Sequence, residues 1–346
     1  MRISVLTAAD PLVRSIAILS LSDVSPVLSV DLNDDGTILT YSTGFEESVT
    51  EVPLAHSCIA CSLREAIIPF LLEMRPDDVI LALPPAVESA TIVPLFSDDV
   101  AELGWAVTSV AHVCELSRIT DELLSHVSLA ERGMELFEDD ERCVGEIQLM
   151  NIGYSDLTIT AGNGETGGGA TAMDLVEHFR PHDSLLIPSL SEVTAEVLFG
   201  GQHNVDSAIR RIHPATTAAW GGPSSHGVWT LDLSSDRAFH PERFIDALSE
   251  LCEGDVCVRG CFWLPTRPDT ICALNAHGGL ITFGSAGDWN DAPRTHLIVT
   301  GTRDPHSGYD RRPLIEEAFS RCLLTHGETH SLSWAGVSDG LGDWFE

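Results

Sequence analysis

Residues 62–84, SLREAIIPFLLEMRPDDVILALP, contain the two elements that indicate the fold class. The apolar spacing in 62–74 predicts an amphipathic helix, with Ser62 as its N-cap and Glu65 completing a capping box. The short apolar run 77–84 is typical of a strand that is buried on both faces of a parallel sheet. A helix that leads directly into such a strand predicts an α/β fold with right-handed crossover connections.

The N-terminal half continues this alternation of strands and helices on both sides of the opening stretch. Strands are predicted at 2–7, 26–32, 37–42 and 104–113, and helices at 11–23, 173–181 and 193–201. The glycine-rich run GNGETGGG (162–169) predicts a flexible break, and HPATTAAWGGPSSHG (213–227) predicts an inter-domain linker. The N-terminal half is therefore expected to be one parallel α/β domain, residues 1–215.

The C-terminal part has a different pattern, in which strands follow one another directly. Strands are predicted at 228–235, 256–265, 270–279, 280–287 and 296–302, and helices at 240–254 and 311–325. This order is typical of a compact α+β module, here residues 228–330. Residues 331–346 are expected to be an acidic, poorly ordered tail.

The composition limits the classes of function. The 346 residues predict about two domains. With 52 acidic and 19 basic residues the net charge is −33, and every basic residue is Arg. The absence of Lys excludes mechanisms that need a catalytic lysine. The acidity argues against nucleic-acid backbones and anionic membranes as direct partners, whereas a basic protein partner fits.

The sequence also predicts in which compartment of the cell the protein is found. The first residues, MRISVLTAADPLVRSIAILS, lack the pattern of an export signal, and no run of 18 apolar residues is present. We therefore expect a cytoplasmic protein that does not span a membrane. Its nine cysteines are then expected to be reduced thiols.

Cys58 and Cys61 form a Cys-x-x-Cys motif and are the strongest candidates for site chemistry. A pair of thiols near a helix N-terminus favours thiolates, and zinc prefers four nitrogen or sulfur ligands. His56 is a candidate third ligand. The fourth stays open among Cys114, Cys143 and a carboxylate. The alternative is that both thiols are small buried apolar groups.

Two regions resemble the CobW-type, metal-linked branch of the P-loop GTPases. One is SCIACSLREAIIPFLLEM (57–74), where that family has Gly-Cys-x-Cys-Cys before a helix. The other runs from AFHPERF (238–244) through VRGCFWLPTRPD (258–269) and GGLITFGSAGDW (278–289) to FSRCLLTHGE (319–328). The resemblance implies a P-loop NTPase-like sheet followed by a CobW C-terminal α+β domain.

The nucleotide motifs of that family are not kept. AADPLVRS (8–15) stands where the P-loop should be, and its three glycine positions hold Ala8, Pro11 and Val13. ALPP (82–85) replaces the acidic motif of the Mg²⁺ site, and AGNG (161–164) replaces the guanine-reading motif. The loop is therefore degenerate, GTP and Mg²⁺ are disfavoured, and no catalytic residue is assigned.

Arg14 and Ser15 stand where the P-loop Lys and Thr would be. They could bind an anion at a helix N-terminus, or they could be a remnant of an ancestral P-loop without a ligand. Arg14 and Ser15 are weaker candidates for binding a cofactor than Cys58 and Cys61 are for binding a metal.

A narrower group of proteins within this family is a better match, because its members also look stripped of the P-loop. Cys58-x-x-Cys61 and FHPER (239–243) are similar to motifs of actinobacterial CobW-like proteins that recruit a hibernation factor to ribosomes during zinc starvation. This resemblance implies a non-catalytic adaptor whose partners are the hibernation factor and ribosomal proteins. Two alternatives stay open: a zinc metallochaperone or zinc sensor that uses the cysteine pair, and a residual GTP-binding protein.

Other residues have weaker signals. Gly162, Gly164 and 167–169 could form a phosphate loop, but a plain linker is favoured. His240 and Arg243 favour helix capping and packing over catalysis. An exposed recognition patch could include Trp263, Arg267 and Trp289. A second metal site could include Cys252, Cys257, Cys261 and Cys272, although buried thiols are favoured.

Overall fold

The computed structural model describes residues 1–33, 36–44, 46–53, 58–137, 139–164, 167–303, 308–329, 334, 337–342 and 345. The chain divides into two compact units that interleave along the sequence. The first comprises Met1–Ile119, Val127–Gly169 and Arg180–Ile209, and the second comprises Thr120–His126, Ala170–Phe179 and Arg210–Glu346. The expected domains are contiguous, whereas two short segments of the N-terminal half belong to the second unit.

The helices and strands up to residue 212 follow one another as expected for an α/β fold. In chain order they are β1 (Arg2–Ala8), α1 (Pro11–Leu21), β2 (Val27–Asn33), β3 (Gly36–Ser42), β4 (Glu47–Pro53), α2 (Ile59–Met74), β5 (Asp78–Ala82), α3 (Ser89–Glu102), β6 (Ala106–Glu115), α4 (Ile119–Leu124), α5 (Val144–Tyr154), β7 (Leu157–Ala161), α6 (Gly167–Phe179), β8 (Leu185–Ile187), α7 (Ala195–Phe199) and α8 (Val205–Ile212).

The first unit is built on an eight-stranded sheet in the order β4-β3-β2-β5-β1-β6-β7-β8. The pairs from β2 through β8 are parallel, and β3 and β4 extend the sheet as antiparallel strands. The α/β prediction with a parallel sheet is therefore confirmed. Because β1 lies in the middle, the segment that follows it is held at the centre of the carboxyl edge of the parallel strands.

Helix α1 packs one face onto this sheet. Val13, Ala17 and Leu21 join the apolar cluster that also contains Leu6 of β1 and Ile80 of β5. Burial of such side chains is the main stabilising term for a helix-on-sheet layer. The opposite face of α1 stays exposed.

The second unit is built on a five-stranded antiparallel sheet in the order β12-β11-β10-β13-β9. Its elements are β9 (Val228–Ser235), α9 (Pro241–Cys252), β10 (Val256–Leu264), β11 (Arg267–His277), β12 (Leu280–Asp288), β13 (Thr295–Thr302), α10 (Arg312–Cys322) and α11 (His326–Thr329). Phe239, Phe244 and Phe262 stack at the centre of its core. The α+β prediction is confirmed, and the structure adds that the sheet is antiparallel.

Arg259 on β10 shows how the segments of the second unit depend on one another. Its guanidinium lies 5.6 Å from the ring centroid of Phe179 in α6. It also donates a 2.9 Å hydrogen bond to the carbonyl of Ala218. Burial lowers the pKa of Arg259, so this cation depends on the ring and the carbonyl.

The predicted start of α2 is wrong by three residues. The helix begins at Ile59, and Cys58 is its N-cap. Ser62 is buried inside the first turns, where its N–H donates to the carbonyl of Cys58 at 3.0 Å. The capping box of Ser62 and Glu65 therefore does not form, and both cysteines lie in the first turn.

The glycine run and the linker also differ from expectation. Residues 167–169 are the start of α6 rather than a break, and Gly162 follows β7 directly. Within the second unit, residues 213–227 lack helix and strand but are anchored to α6. His178 Nε2 donates to the carbonyl of Pro223 at 3.0 Å, and Asp174 accepts from His226 at 2.9 Å.

Several described positions of the expected poorly ordered tail are packed within the second unit. Asp339 accepts a 2.7 Å hydrogen bond from Arg267, and Leu341 is buried in the core of the second unit. Phe345 lies under the same guanidinium at 4.5 Å. The tail residues 331–333, 335, 336, 343, 344 and 346 lie outside the described residues. In the described part of the chain, no helix has both the length and the apolar character needed to cross a bilayer.

Candidate functional site

A carboxylate of the chain itself caps the segment after β1, where the sequence resemblance predicts a P-loop. Asp10 is the N-cap of α1, and its Oδ1 accepts hydrogen bonds from the backbone N–H groups of Leu12 at 2.8 Å and Val13 at 3.1 Å. Its Oδ2 forms an ion pair with Arg118. Free amides at a helix start are what a bound phosphate requires. Here a capping carboxylate satisfies two of them, and an arginine neutralises its charge.

Arg14 points into the fold rather than toward the helix N-terminus. Its guanidinium donates to Asp31 at 2.8 Å and to three backbone carbonyls at 2.7 to 3.1 Å, those of Leu83, Val30 and Ala82. Burial lowers its pKa, and Asp31 acts in the opposite direction. Arg14 therefore braces α1 against the ends of β2 and β5. Because its donors are directed to these acceptors, Arg14 does not present them to an anion at the helix N-terminus.

Ser15 is likewise not directed at a ligand. Its hydroxyl donates to the carbonyl of Pro11 at 2.8 Å, within α1 itself. Such back-bonding is common for serine inside helices. The structure thus brings neither Arg14 nor Ser15 to the position of a phosphate.

Small apolar side chains lie at the same edge of the sheet. Ala9 follows β1 and Ala86 lies beyond β5, and both are 1% exposed. They pack in one cluster with Leu129, Val144 and Ile147. The segment 82–85, which replaces the acidic motif of the Mg²⁺ site, supplies carbonyl acceptors to Arg14 instead of a carboxylate.

Arg118 is a residue of this site that the sequence alone did not identify. It follows β6 by three residues and lies 108 positions from Asp10. The adjacency of β1 and β6 in the parallel sheet is what brings the two side chains together. Strand order would have been the necessary signal, and no local motif contains it.

Cys58 and Cys61 come together at the start of α2. Cys58 is exposed and Cys61 is half-buried. Hydrogen bonds from the backbone N–H and the thiol of Cys61 lower the pKa of Cys58, and Arg64 acts in the same direction. The same thiol contact raises the pKa of Cys61. The pair therefore stabilises one thiolate, located on Cys58.

A cavity of about 320 Å³ opens beside the pair. It is lined by Cys61, Arg64, Glu65, Ile68, Pro69 and Asp99. Arg64 and Asp99 form an ion pair across it, with Nε and Oδ2 2.7 Å apart. A ligand or a partner side chain can therefore reach Cys61 from this side.

The structure groups no further described ligand candidate with the pair. His56 lies outside the described residues. Cys114 and Cys143 are buried, and burial raises the pKa of Cys143 to about 12. Among the residues that the structure describes, no three His, Cys, Asp or Glu side chains form a metal-binding group. Two thiols, one with a lowered pKa, still suit the soft character of zinc.

The other candidates have structural roles. His240 is the N-cap of α9. Arg243 donates to both carboxylate oxygens of Glu328, at 2.9 and 3.0 Å. These hydrogen bonds lower the pKa of Glu328 to about 2. Arg267 binds Asp339. The two tryptophans of the expected patch, Trp263 and Trp289, are each half-buried. Four further thiols are buried, namely Cys252, Cys257, Cys261 and Cys272.

This chain is similar to several known proteins. Residues 228–323 match the cobalamin synthesis protein cobW C-terminal domain. Two relatives are each 23% identical over 343 residues, covering 84% of this chain and 79% of their own: zinc chaperone Rv0106 of Mycobacterium tuberculosis and uncharacterized protein Mb0109 of Mycobacterium bovis. The crystal structure of Zn(II)-bound YjiA GTPase from E. coli aligns with a TM-score of 0.38 at 11% identity, covering 94% of this chain and 99% of that one.

The family match concerns only the C-terminal part of this chain. The matched segment begins at the first residue of β9 and ends one residue after α10. It therefore contains the whole antiparallel sheet of the second unit.

Replacing Arg14 with Met should destabilise the first unit strongly. The substitution removes the buried cation and leaves three carbonyls without their donor, which typically costs about 3–5 kcal/mol. The control is Asp31→Asn, which should cost less than about 1 kcal/mol because that carboxylate is 42% exposed. Urea denaturation followed by circular dichroism measures both. Equal, small effects would show that the brace does not matter.

The two cysteines should differ in reactivity with pH. In zinc-free protein, Cys58 should react with iodoacetamide at lower pH than Cys61, because only the thiolate is nucleophilic and the pKa of Cys58 is lowered. Cys61→Ala removes one of the two main donors, so the midpoint for Cys58 should move to higher pH. Peptide mass spectrometry resolves the two sites, with buried Cys143 as the unreactive control. Identical midpoints would contradict the assignment.

Proposed function

We propose that this chain is a zinc-related, CobW-like protein that does not turn over nucleotide and works as an adaptor between proteins. In this role it recruits a ribosome hibernation factor to the ribosome when zinc is scarce. The observation that carries the proposal is the Asp10 carboxylate on the first amides of α1, paired with Arg118. A triphosphate there would have to displace the cap and lie against its negative charge.

The charge of the chain supports a basic protein as the partner. A net charge of −33 attracts basic surfaces and is repelled by bare nucleic acid. Ribosomal proteins and a hibernation factor that binds RNA meet this requirement through their own basic groups. The contact to the ribosome is therefore proposed to be made through protein, not through RNA.

Cys58 and Cys61 supply the proposed link to zinc. When bound, zinc would hold the start of α2 through two thiolates, and its loss would release the exposed Cys58. One mycobacterial relative is named a zinc chaperone, which supports a link between this chain and zinc. The proposed switch is zinc loading that turns the adaptor off.

Sucrose-gradient sedimentation of lysates tests the adaptor. Cells grown with and without zinc are compared, and the protein is detected by immunoblot. It should enter the ribosomal fractions only under zinc starvation. The variant with Cys58→Ala and Cys61→Ala should enter them in both conditions, because its switch is missing. Protein that stays at the top of the gradient in both conditions would refute the ribosome role.

A zinc metallochaperone or zinc sensor is the second candidate. The observation that favours it is the exposed Cys58 with its lowered pKa beside an open cavity, since cargo zinc needs an accessible and exchangeable ligand. If this chain supplies only a few of the zinc ligands, the remaining coordination positions are open to ligands from a receiving protein.

Zinc per monomer tests the metal role directly. Purified protein is loaded, desalted and measured by mass spectrometry of the metal. Wild type should retain zinc, and the variant with both cysteines replaced by Ala should lose it. Asp99→Asn is the matched control, because it lines the same cavity and keeps both thiols. Equal zinc in wild type and the double variant would remove the cysteine pair from any zinc role.

A further inference from the structure

The outer face of α1 exposes three large apolar side chains. Leu12 is 63% exposed, Ile16 is 46% exposed and Leu19 is 75% exposed. Their spacing of four and three residues places them on one line along the helix, which we call the α1 stripe. Single exposed apolar residues are ordinary, but an aligned set of three is typical of an interaction site.

No charged side chain interrupts the α1 stripe. The other exposed residues of α1 are Pro11, Ser15 and Ser20, and its single charged residue, Arg14, is buried. This absence is unusual in a chain with 52 acidic residues. Depletion of charge at the centre of a surface patch is the compositional mark of an interface core.

The α1 stripe stands on a rigid support. Val13, Ala17 and Leu21 anchor the opposite face of the helix in the sheet cluster. Arg14 fixes the middle of the helix, and Asp10 fixes its beginning. Because these contacts already order the helix, little conformational entropy is lost when a partner binds. More of the buried apolar area then contributes to affinity.

Two exposed acidic side chains lie on segments adjacent to α1. A 3₁₀ turn at Leu190–Glu192 contacts α1, and its Glu192 is exposed. Asp23, just beyond the end of α1, is also exposed. An apolar centre with an acidic surround fits a partner that has the opposite charge at its rim.

We propose that the α1 stripe is the docking surface for an amphipathic helix of a basic partner protein. The apolar side of that helix would pack on Leu12, Ile16 and Leu19, and its Arg or Lys residues would face Asp23 and Glu192. A second copy of this chain fits less well, because it would bring two acidic rims and two charges of −33 together. The inference deepens the proposed adaptor function, on which its biological meaning rests.

The test uses a synthetic helical peptide with leucines on one side and arginines beside them. Binding to full-length protein is measured by fluorescence anisotropy at low and high salt. The stripe variant contains Leu12→Gln, Ile16→Gln and Leu19→Gln. The matched control contains Leu95→Gln and Leu103→Gln, two apolar residues of similar exposure at α3 and its C-cap. A peptide with glutamates in place of the arginines controls for charge.

Wild type should bind the basic peptide saturably and more weakly at high salt, and it should not bind the acidic one. The stripe variant should lose about 100-fold in affinity, and the α3 control should not change. Circular dichroism shows whether the stripe variant is folded. Equal binding by the stripe variant, or no binding by wild type, would overturn the proposal. So would a dimer in sedimentation velocity that the stripe variant abolishes, since the occupant would then be a second copy.

The ribosome gradient separates this inference from the adaptor function. If wild type enters the ribosomal fractions and the stripe variant enters them equally, the docking surface is wrong and the adaptor stands. If wild type never enters them but binds the basic peptide through the α1 stripe, the adaptor is wrong and the docking surface stands.

Discussion

The buried guanidinium of Arg14 is the contact on which the first unit depends most. A cation that is removed from water needs a full set of acceptors, and Arg14 finds them in Asp31 and in carbonyls at the ends of β2 and β5. Its planar fork directs donors from three separate nitrogens toward these acceptors, whereas the three donors of a lysine ammonium share a single nitrogen. Arg14, which the sequence resemblance aligns with the lysine of a P-loop, thus attaches α1 to the sheet.

This use of α1 changes where the first unit can meet other molecules. The start of the helix is closed by Asp10 and Arg118, and small apolar residues fill the adjacent edge of the sheet. Accessible thiols lie instead at the start of α2, and an aligned row of exposed apolar side chains lies on the outer side of α1. Both features support the proposed role as an adaptor between proteins.

The sequence predicted several elements whose burial leaves a regular pattern, but it missed α3, whose buried residues also recur at helical spacing. β5 and β10 read as apolar strands and α9 as an amphipathic helix, because each has a core face. The pattern did not predict β4, which is exposed on both faces, or α5, which is buried almost all round. Neither has a polar side and an apolar side. At the site, the cysteine pair was visible locally, whereas the ion pair of Asp10 and Arg118 depends on strand order.

The stacking of Arg259 on Phe179 bears on how the chain could be divided for expression. The segment that matches the cobW C-terminal domain, 228–323, contains Arg259 but neither Phe179 nor Ala218. A fragment cut at the start of β9 would leave a guanidinium on the open face of its sheet without the ring and carbonyl that hold it. The boundaries of a sequence family and of a self-sufficient folding unit therefore differ in this protein.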